Sequence, residues 1–314
     1  VLRLAGHEAC TPRSDLRVGP GDDGAVLPLG DTVTVDALVE GCHFDARLSP
    51  ADVGYKALAV SVSDLAAMGA RPRWAVLALS LPSHDAAWTG EFARGLGEAC
   101  RRWQVALVGG DTTASPGPRV VSITAGGVLV GAPLRRDGAR PGDLLWVTGT
   151  LGLAGAGWRL TAPPPAALAA LRRPDPPVAF ALAVARLGLA SAAMDLSDGL
   201  AADLPRLLRS SRVHHPTLGA WIGPAALPVG DVPDALDHAL RGGEDYQLLL
   251  SAPPARSAEL QALAGAYGVR LTAIGRCTAD ATLSLGGGAW PPPAYAHFPS
   301  DAAPPIAGLA GVRP

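Results

Sequence analysis

Short β-branched runs alternate with amphipathic stretches through the first half of the chain, and a polar, turn-rich break between Leu134 and Asp143 ends that alternation. Asp31 to Val39, Trp74 to Leu81, Val105 to Val108 and Val120 to Val130 read as strands. Between the first two, Ser49-Pro50-Ala51-Asp52 places a capping serine before a proline at the first helical position, and an apolar face runs from Val53 to Met68. A second helix spans about Ala86 to Trp103. This order predicts an α/β domain. After the break, with its Arg135-Arg136-Asp137-Gly138-Ala139-Arg140-Pro141-Gly142, a fresh buried strand reads from Leu144 to Thr148. The boundary is therefore placed at 135/136, giving an N-terminal domain of residues 1–135 and a C-terminal domain of residues 136–314. The second domain holds a glycine-rich turn into a helix, a proline-rich loop, an apolar helix-like run from Val178 to Met194, and strands near Gln247 to Ser251 and Leu271 to Ile274, which predicts α+β. The tail after Pro299 is rich in Ala, Gly and Pro and reads as irregular.

A length of 314 residues suits two domains, and 48% hydrophobic against 17% charged residues is a globular balance. Lys and Arg number 26 against 28 Asp and Glu, so a net charge of −2 gives no general attraction to nucleic acid or to an anionic membrane. Any bound anion needs a local device, and Lys56 is the sole lysine. Four scattered cysteines, Cys10, Cys42, Cys100 and Cys277, form no CxxC pair, which fits a reducing cytosol. Arg186 interrupts the longest apolar run, and no basic-then-apolar leader is seen, so a cytoplasmic location without membrane anchoring is expected.

Aspartates recur at predicted strand and helix ends inside short segments: Gly21-Asp22-Asp23-Gly24, Val35-Asp36, Ser63-Asp64, Gly109-Gly110-Asp111-Thr112 and Asp195-Leu196-Ser197-Asp198-Gly199. Taken singly, each is more often a turn or a cap. Together they share one chemistry: short, stiff carboxylates suit Mg²⁺, and phosphoryl transfer between anions needs metal to neutralise charge and align the groups. Other phosphate devices are missing. There is no G-x-x-x-x-G-K-[ST] around Lys56 and no protein-kinase catalytic loop. The Gly149, Gly152, Gly155, Gly157 series has the wrong spacing for a dinucleotide fingerprint and reads first as a tight strand-to-helix turn, second as an anion cradle. His43 stands alone, where a structural role is commoner than a catalytic one, and no Ser or Cys nucleophile has a partner in its segment.

In this order the segments resemble the thiamine-monophosphate kinase family, within the superfamily of aminoimidazole-ribonucleotide synthetase, selenophosphate synthetase and hydrogenase maturation factor E. The resemblance runs from about Gly21 to Phe298 and rests on Gly21-Asp22-Asp23, Val35-Asp36-Ala37-Leu38-Val39-Glu40-Gly41-Cys42-His43-Phe44, Lys56-Ala57-Leu58-Ala59-Val60 and Ser63-Asp64-Leu65-Ala66-Ala67-Met68-Gly69-Ala70. Gly109-Gly110-Asp111-Thr112, Pro141-Gly142-Asp143, Asp195-Leu196-Ser197-Asp198-Gly199-Leu200 and Gly242-Gly243-Glu244-Asp245-Tyr246 complete it.

The resemblance implies a two-domain aminoimidazole-ribonucleotide-synthetase-like fold, α/β then α+β, whose N-terminal sheet pairs with that of a second subunit in a homodimer. It implies an ATP- and Mg²⁺-dependent kinase that converts thiamine monophosphate to thiamine pyrophosphate. Metal ligands carry over to Asp23, Thr34, Asp36, Asp64, Asp111, Asp195 and Asp198, with Asp64, Asp111 and Asp198 as the catalytic carboxylates. ATP contacts carry over to Gly110, Asp111, Arg136 and Ser197, and acceptor contacts to His43, Glu244 and Tyr295. Tyr295 would stack on a cationic heterocycle, with Glu244 adding a complementary charge. Val35 replaces a frequent metal-binding Thr, Ala93 occupies or adjoins the position of a frequent nucleotide-contacting Tyr, and Pro177 replaces a common Arg.

The alternatives are another ATP-dependent enzyme of the superfamily and a non-catalytic nucleotide-binding protein. Cys10 in Ala9-Cys10-Thr11-Pro12 lacks the glycine-rich context of selenophosphate synthetase, and the chain given ends Gly311-Val312-Arg313-Pro314 without the hydrogenase factor's Cys. The synthetase lacks the Gly-Gly-Glu-Asp-Tyr context, and a non-catalytic binder need not keep every aspartate.

Overall fold

The computed structural model describes residues 17–19 and 21–292, so Cys10 and Tyr295 lie outside the described residues. The first domain comprises β1 (Ala25–Val26), β2 (Asp31–Val39), α1 (Pro50–Ala67), β3 (Ala70–Leu81), α2 (Ala86–Trp103), β4 (Ala106–Ala114) and β5 (Val120–Leu129). Its five strands lie in the order β1-β2-β5-β3-β4. The pairings are antiparallel except β3 with β4.

The second domain carries β6 (Leu144–Thr148), α3 (Leu153–Arg159), α4 (Pro165–Arg172), α5 (Val178–Leu187), β7 (Ala192–Leu196), α6 (Leu200–Ser211), β8 (Gly219–Ile222), α7 (Ala235–Arg241), β9 (Gln247–Ala252), α8 (Ser257–Ala266), β10 (Leu271–Thr278), β11 (Leu283–Leu285) and β12 (Gly288–Ala289). Its seven-stranded sheet has the order β12-β11-β8-β10-β6-β9-β7. The fold is thus α/β followed by α+β.

α1 is the keystone. Ser49 Oγ accepts the Asp52 N–H at 3.2 Å and Asp52 returns the favour to the Ser49 N–H at 3.2 Å, a capping box with Pro50 just inside it. Apart from Tyr55, Lys56 and Asp64, the residues that follow are small or aliphatic on every side, and nearly all are buried, because α1 packs on the first sheet, on α2 and on β7 of the second domain. Close approach to α2 depends on two glycines: a Cβ on Gly54 would lie 2.1 Å from the Phe92 carbonyl oxygen, and one on Gly95 1.8 Å from that of Ala51. Leu134, Trp146, Phe180 and Val184 join Ala66 and Ala67 of α1 in a shared core at the domain seam.

Two elements depart from the sequence reading. The strand expected at Val105 to Val108 runs on to Ala114, because its pairing with β3 continues from Trp74↔Ala106 to Leu81↔Ala114, well past Val108. As an outermost strand exposed along its whole length, β4 needs no apolar pattern to persist. The apolar run Val178 to Met194 is not one helix. Gly188, at φ 61°, ends α5 with its N–H on Ala185 O and the Leu189 N–H on Val184 O, and the chain re-enters the sheet as β7. Among the described residues no helix is long and apolar enough to cross a membrane.

Candidate active site

Three carboxylates from distant segments converge at the domain seam. Asp23, ahead of β1, Asp64, in the last turn of α1, and Asp195, in β7, each place an oxygen within 4.8 Å of the others. Thr34 and Asp36 are two residues apart on β2 and so share a face toward α1. Thr34 Oγ1 donates to Asp64 Oδ2 at 2.5 Å, Ser61 Oγ to Asp36 Oδ2 at 2.9 Å and Ser63 Oγ to Asp195 Oδ2 at 2.8 Å. The C-terminal turns of α1 therefore supply one ligand candidate and orient two others.

Burial pushes the Asp64 carboxyl well above the usual range, and the neighbouring Asp36, Asp195 and Asp23 charges add to it. Burial does the same to Asp195, helped by Asp23, and raises Asp36. Asp22 is pushed up to about 6 by burial, against the hydrogen bond it accepts from the Arg136 N–H at 2.7 Å. Arg136 is the cation at hand: its Nη2 lies 2.5 Å and its Nε 3.1 Å from the two Asp23 oxygens. Burial works against that charge, yet the Asp23 bonds hold the guanidinium pKa above its ordinary value. Hard oxygen donors, crowded together and hindered by burial from ionising with one arginine beside them, fit a hard divalent cation that would take the place of their protons.

Beside the cluster opens a cleft of about 480 Å³ that Asp36, His43, Ser197, Asp198, Glu244 and Tyr246 help to line. His43 Nδ1 accepts the Val39 N–H at 3.1 Å, so the neutral ring carries its proton on Nε2. Asp198 is 2.5 Å from Arg206 Nη1, which also meets Asp203, a carboxyl that burial pushes up to about 7. Glu244 is already partnered: its Oε2 lies 2.7 Å from the ammonium of buried Lys56. Its charge is not simply on offer to a cation, as the sequence suggested. A larger hollow of about 690 Å³, around Trp103, Pro177 and Tyr267, shares no residue with this cleft and contains none of the clustered carboxylates.

Gly110 and Asp111 are not brought to the cluster within one chain. Asp36 is in register with Ile123, Ile123 with Leu77, and Leu77 with Gly110, which puts Asp111 three strands away, roughly 14 Å, and on the opposite face. Both Asp36 and Asp111 lie within strands rather than at the ends expected for them. Ala93 is exposed on α2, as is Val35 on β2. The glycine-rich turn has an internal explanation. Asp245 accepts the Gly152 N–H at 2.9 and 3.0 Å, so the start of α3 is capped by the protein's own carboxylate. Burial nevertheless pushes that carboxyl up to about 8.

Sequence reading passed over Asp22, Ser61, Ser63, Arg206 and the pairing of Lys56. For Lys56 a signal existed, a lone lysine inside an otherwise apolar helical run. For the serines none did, because serine at such spacings is common on any helix.

Residues 21–129 match the AIR synthase related protein N-terminal domain, and residues 140–287 the AIR synthase related protein C-terminal domain. Thiamine-monophosphate kinase of Escherichia coli strain K12 is 40% identical over 288 residues, 85% of this chain and 86% of that protein. Thiamine-monophosphate kinase from Stenotrophomonas maltophilia K279a superposes with a TM-score of 0.76 at 38% identity, over 91% of this chain and 95% of that one. AaThiL complexed with AMPPCP and TMP gives a TM-score of 0.81 at 29% identity, over 95% and 96%. With both halves matched and this identity along most of its length, the chain belongs to the thiamine-monophosphate kinase family of AIR synthase related proteins.

Proposed function

We propose that this protein transfers the γ-phosphoryl group of ATP to the phosphate of thiamine monophosphate in an Mg²⁺-dependent reaction, yielding thiamine pyrophosphate. The observation that carries the reading is the buried Asp23, Asp64 and Asp195 cluster beside the cleft holding His43 and Glu244. The relative solved with AMPPCP, an ATP analogue, and TMP supports both substrates.

In this reading Asp23, Thr34, Asp36, Asp64, Asp195 and Asp198 hold Mg²⁺, which when bound offsets phosphate charge and aligns the reacting groups. Arg136 and Ser197 serve the nucleotide, and His43, Glu244 and Tyr295 serve the acceptor. The acceptor phosphate is an oxyanion at neutral pH and needs no general base. The residues therefore act by position and charge: Arg136 adds a fixed cation beside the cluster, and His43 helps to shape the acceptor side. Transfer is direct and in line, with no phosphoenzyme, because an anionic acceptor held beside the γ-phosphate needs no covalent relay.

The first sheet pairs with that of a second copy. β4 supports this as an outermost strand with Leu107 and Val108 exposed on it. Gly110 and Asp111 then reach the nucleotide site from that second copy. Residues 1–135 and 136–314 are the two working units. A cytoplasmic setting agrees with Cys42, Cys100 and Cys277 all being free thiols. The test is purified protein with ATP, Mg²⁺ and thiamine monophosphate, with ADP and thiamine pyrophosphate followed by chromatography. ADP and thiamine pyrophosphate formed one for one are expected. ADP without thiamine pyrophosphate would refute the acceptor.

A further inference from the structure

Lys56 is fully buried, a place lysine takes only with a partner. Its Nζ donates to the His43 carbonyl oxygen at 3.0 Å and lies 2.7 Å from Glu244 Oε2. Those contacts tie together two walls of the cleft from different domains, since His43 follows β2 and Glu244 precedes β9. Glu244 Oε2 is buried and makes no aligned hydrogen bond, so the Lys56 charge is what compensates it. The segment around Glu244 also needs holding. Glu244 and Tyr246 have φ of 67° and 48°, a region that side-chain-bearing residues rarely adopt. Its backbone anchors are the Glu244 N–H to Ser197 O and the Tyr246 N–H to Leu196 O, each 2.8 Å.

We propose that Lys56 is a positioning residue for the acceptor: through Glu244 and the His43 carbonyl it locks the strained segment of the second domain against the first and so pre-forms the acceptor side of the cleft. With Glu244 neutralised from behind, the wall recognises its ligand by shape and hydrogen bonding rather than by surplus charge. The identity of the acceptor rests on the function proposed above; the locking does not.

The experiment compares wild type with Lys56→Met by amide hydrogen exchange and by kinetics with ATP and thiamine monophosphate. Exchange at the Glu244 and Tyr246 amides should quicken about tenfold or more while the amides of β2 and β5 keep their protection. KM for thiamine monophosphate should rise about tenfold, with kcat and the KM for ATP within about threefold. Should Lys56→Met fail to fold, the Lys56→Met/Glu244→Gln double variant removes both buried charges and carries the exchange measurement. Unchanged exchange at residues 244 and 246 in a folded variant overturns the proposal, as does a fall in kcat with KM unmoved. Wild type that forms no thiamine pyrophosphate would overturn the function instead, and the exchange result would still decide the role of Lys56.

Discussion

Two groups of buried charge meet along α1, and they are built on opposite terms. Lys56 and Glu244 cancel one another, so the pair is complete within the chain. Asp23, Asp36, Asp64 and Asp195 crowd together with Arg136 as the adjoining cation, and burial lifts the pKa of Asp36, Asp64 and Asp195. A balanced pair holds geometry and adds no surplus charge. A group of carboxyls whose ionisation is opposed by burial and by one another is poised to take up positive charge from outside, as protons or as a metal ion.

The sharpest way to break this contrast is Asp64→Asn. Turnover should fall about 10³-fold or more, on the order of 4 kcal/mol of transition-state stabilisation. The melting temperature without metal should hold or rise, because a repelling carboxylate has gone from among Asp36, Asp195 and Asp23. A variant that melted well below wild type would place Asp64 in the structural framework instead. Next in size is metal itself. Mg²⁺ at about 100 times its dissociation constant should add about 2.7 kcal/mol to stability, read as a melting shift of several degrees that excess EDTA reverses, with activity lost in EDTA. No shift would mean that the surplus charge serves something else.

A smaller effect follows from pH. Asp22, Asp203 and Asp245 hold folded-state values of about 6, about 7 and about 8, raised from 3.8 chiefly by burial. The folded protein binds more protons than the unfolded chain between those limits, so metal-free stability should fall as pH climbs from about 4 to about 8. Asp245→Asn should flatten the upper part of that fall, measured as melting temperature against pH. An unchanged slope would show that Asp245 ionises without cost. The smallest effect belongs to a control: Arg94→Ala, which dissolves the exposed Arg94 contacts with Glu91 and Glu98, should leave the melting temperature unmoved.

Local chemistry made much of the frame legible. Ser49, Pro50 and Asp52 announced the start of α1, and β2 and β6 run over the residues expected because their β-branched and apolar runs are bounded by turn formers. Tertiary effects hid the rest. The pairing of β4 with β3 carries Gly109 to Asp111 into a strand that the β-branched run alone ended at Val108. One left-handed glycine, Gly188, divides a run that hydrophobicity could not divide. Of the site, the motifs named Asp23, Asp64 and Asp195, but their approach to within 4.8 Å is a property of packing between domains. The Lys56 partner was invisible because nothing in a helix records what it will meet 188 positions later.

α1 also works as a ruler. Lys56 and Asp64 are eight positions apart on one helix, which at 1.5 Å per residue separates them by about 12 Å along its axis. In the proposed function, that interval would set how far the end of an acceptor near Glu244 stands from the carboxylates that would serve its phosphate. On that reading, a ligand much shorter or longer than this span would not engage both ends at once. Inserting a single residue between Lys56 and Ser61 would turn the far end by about 100° and move Ser61, Ser63 and Asp64 out of register together.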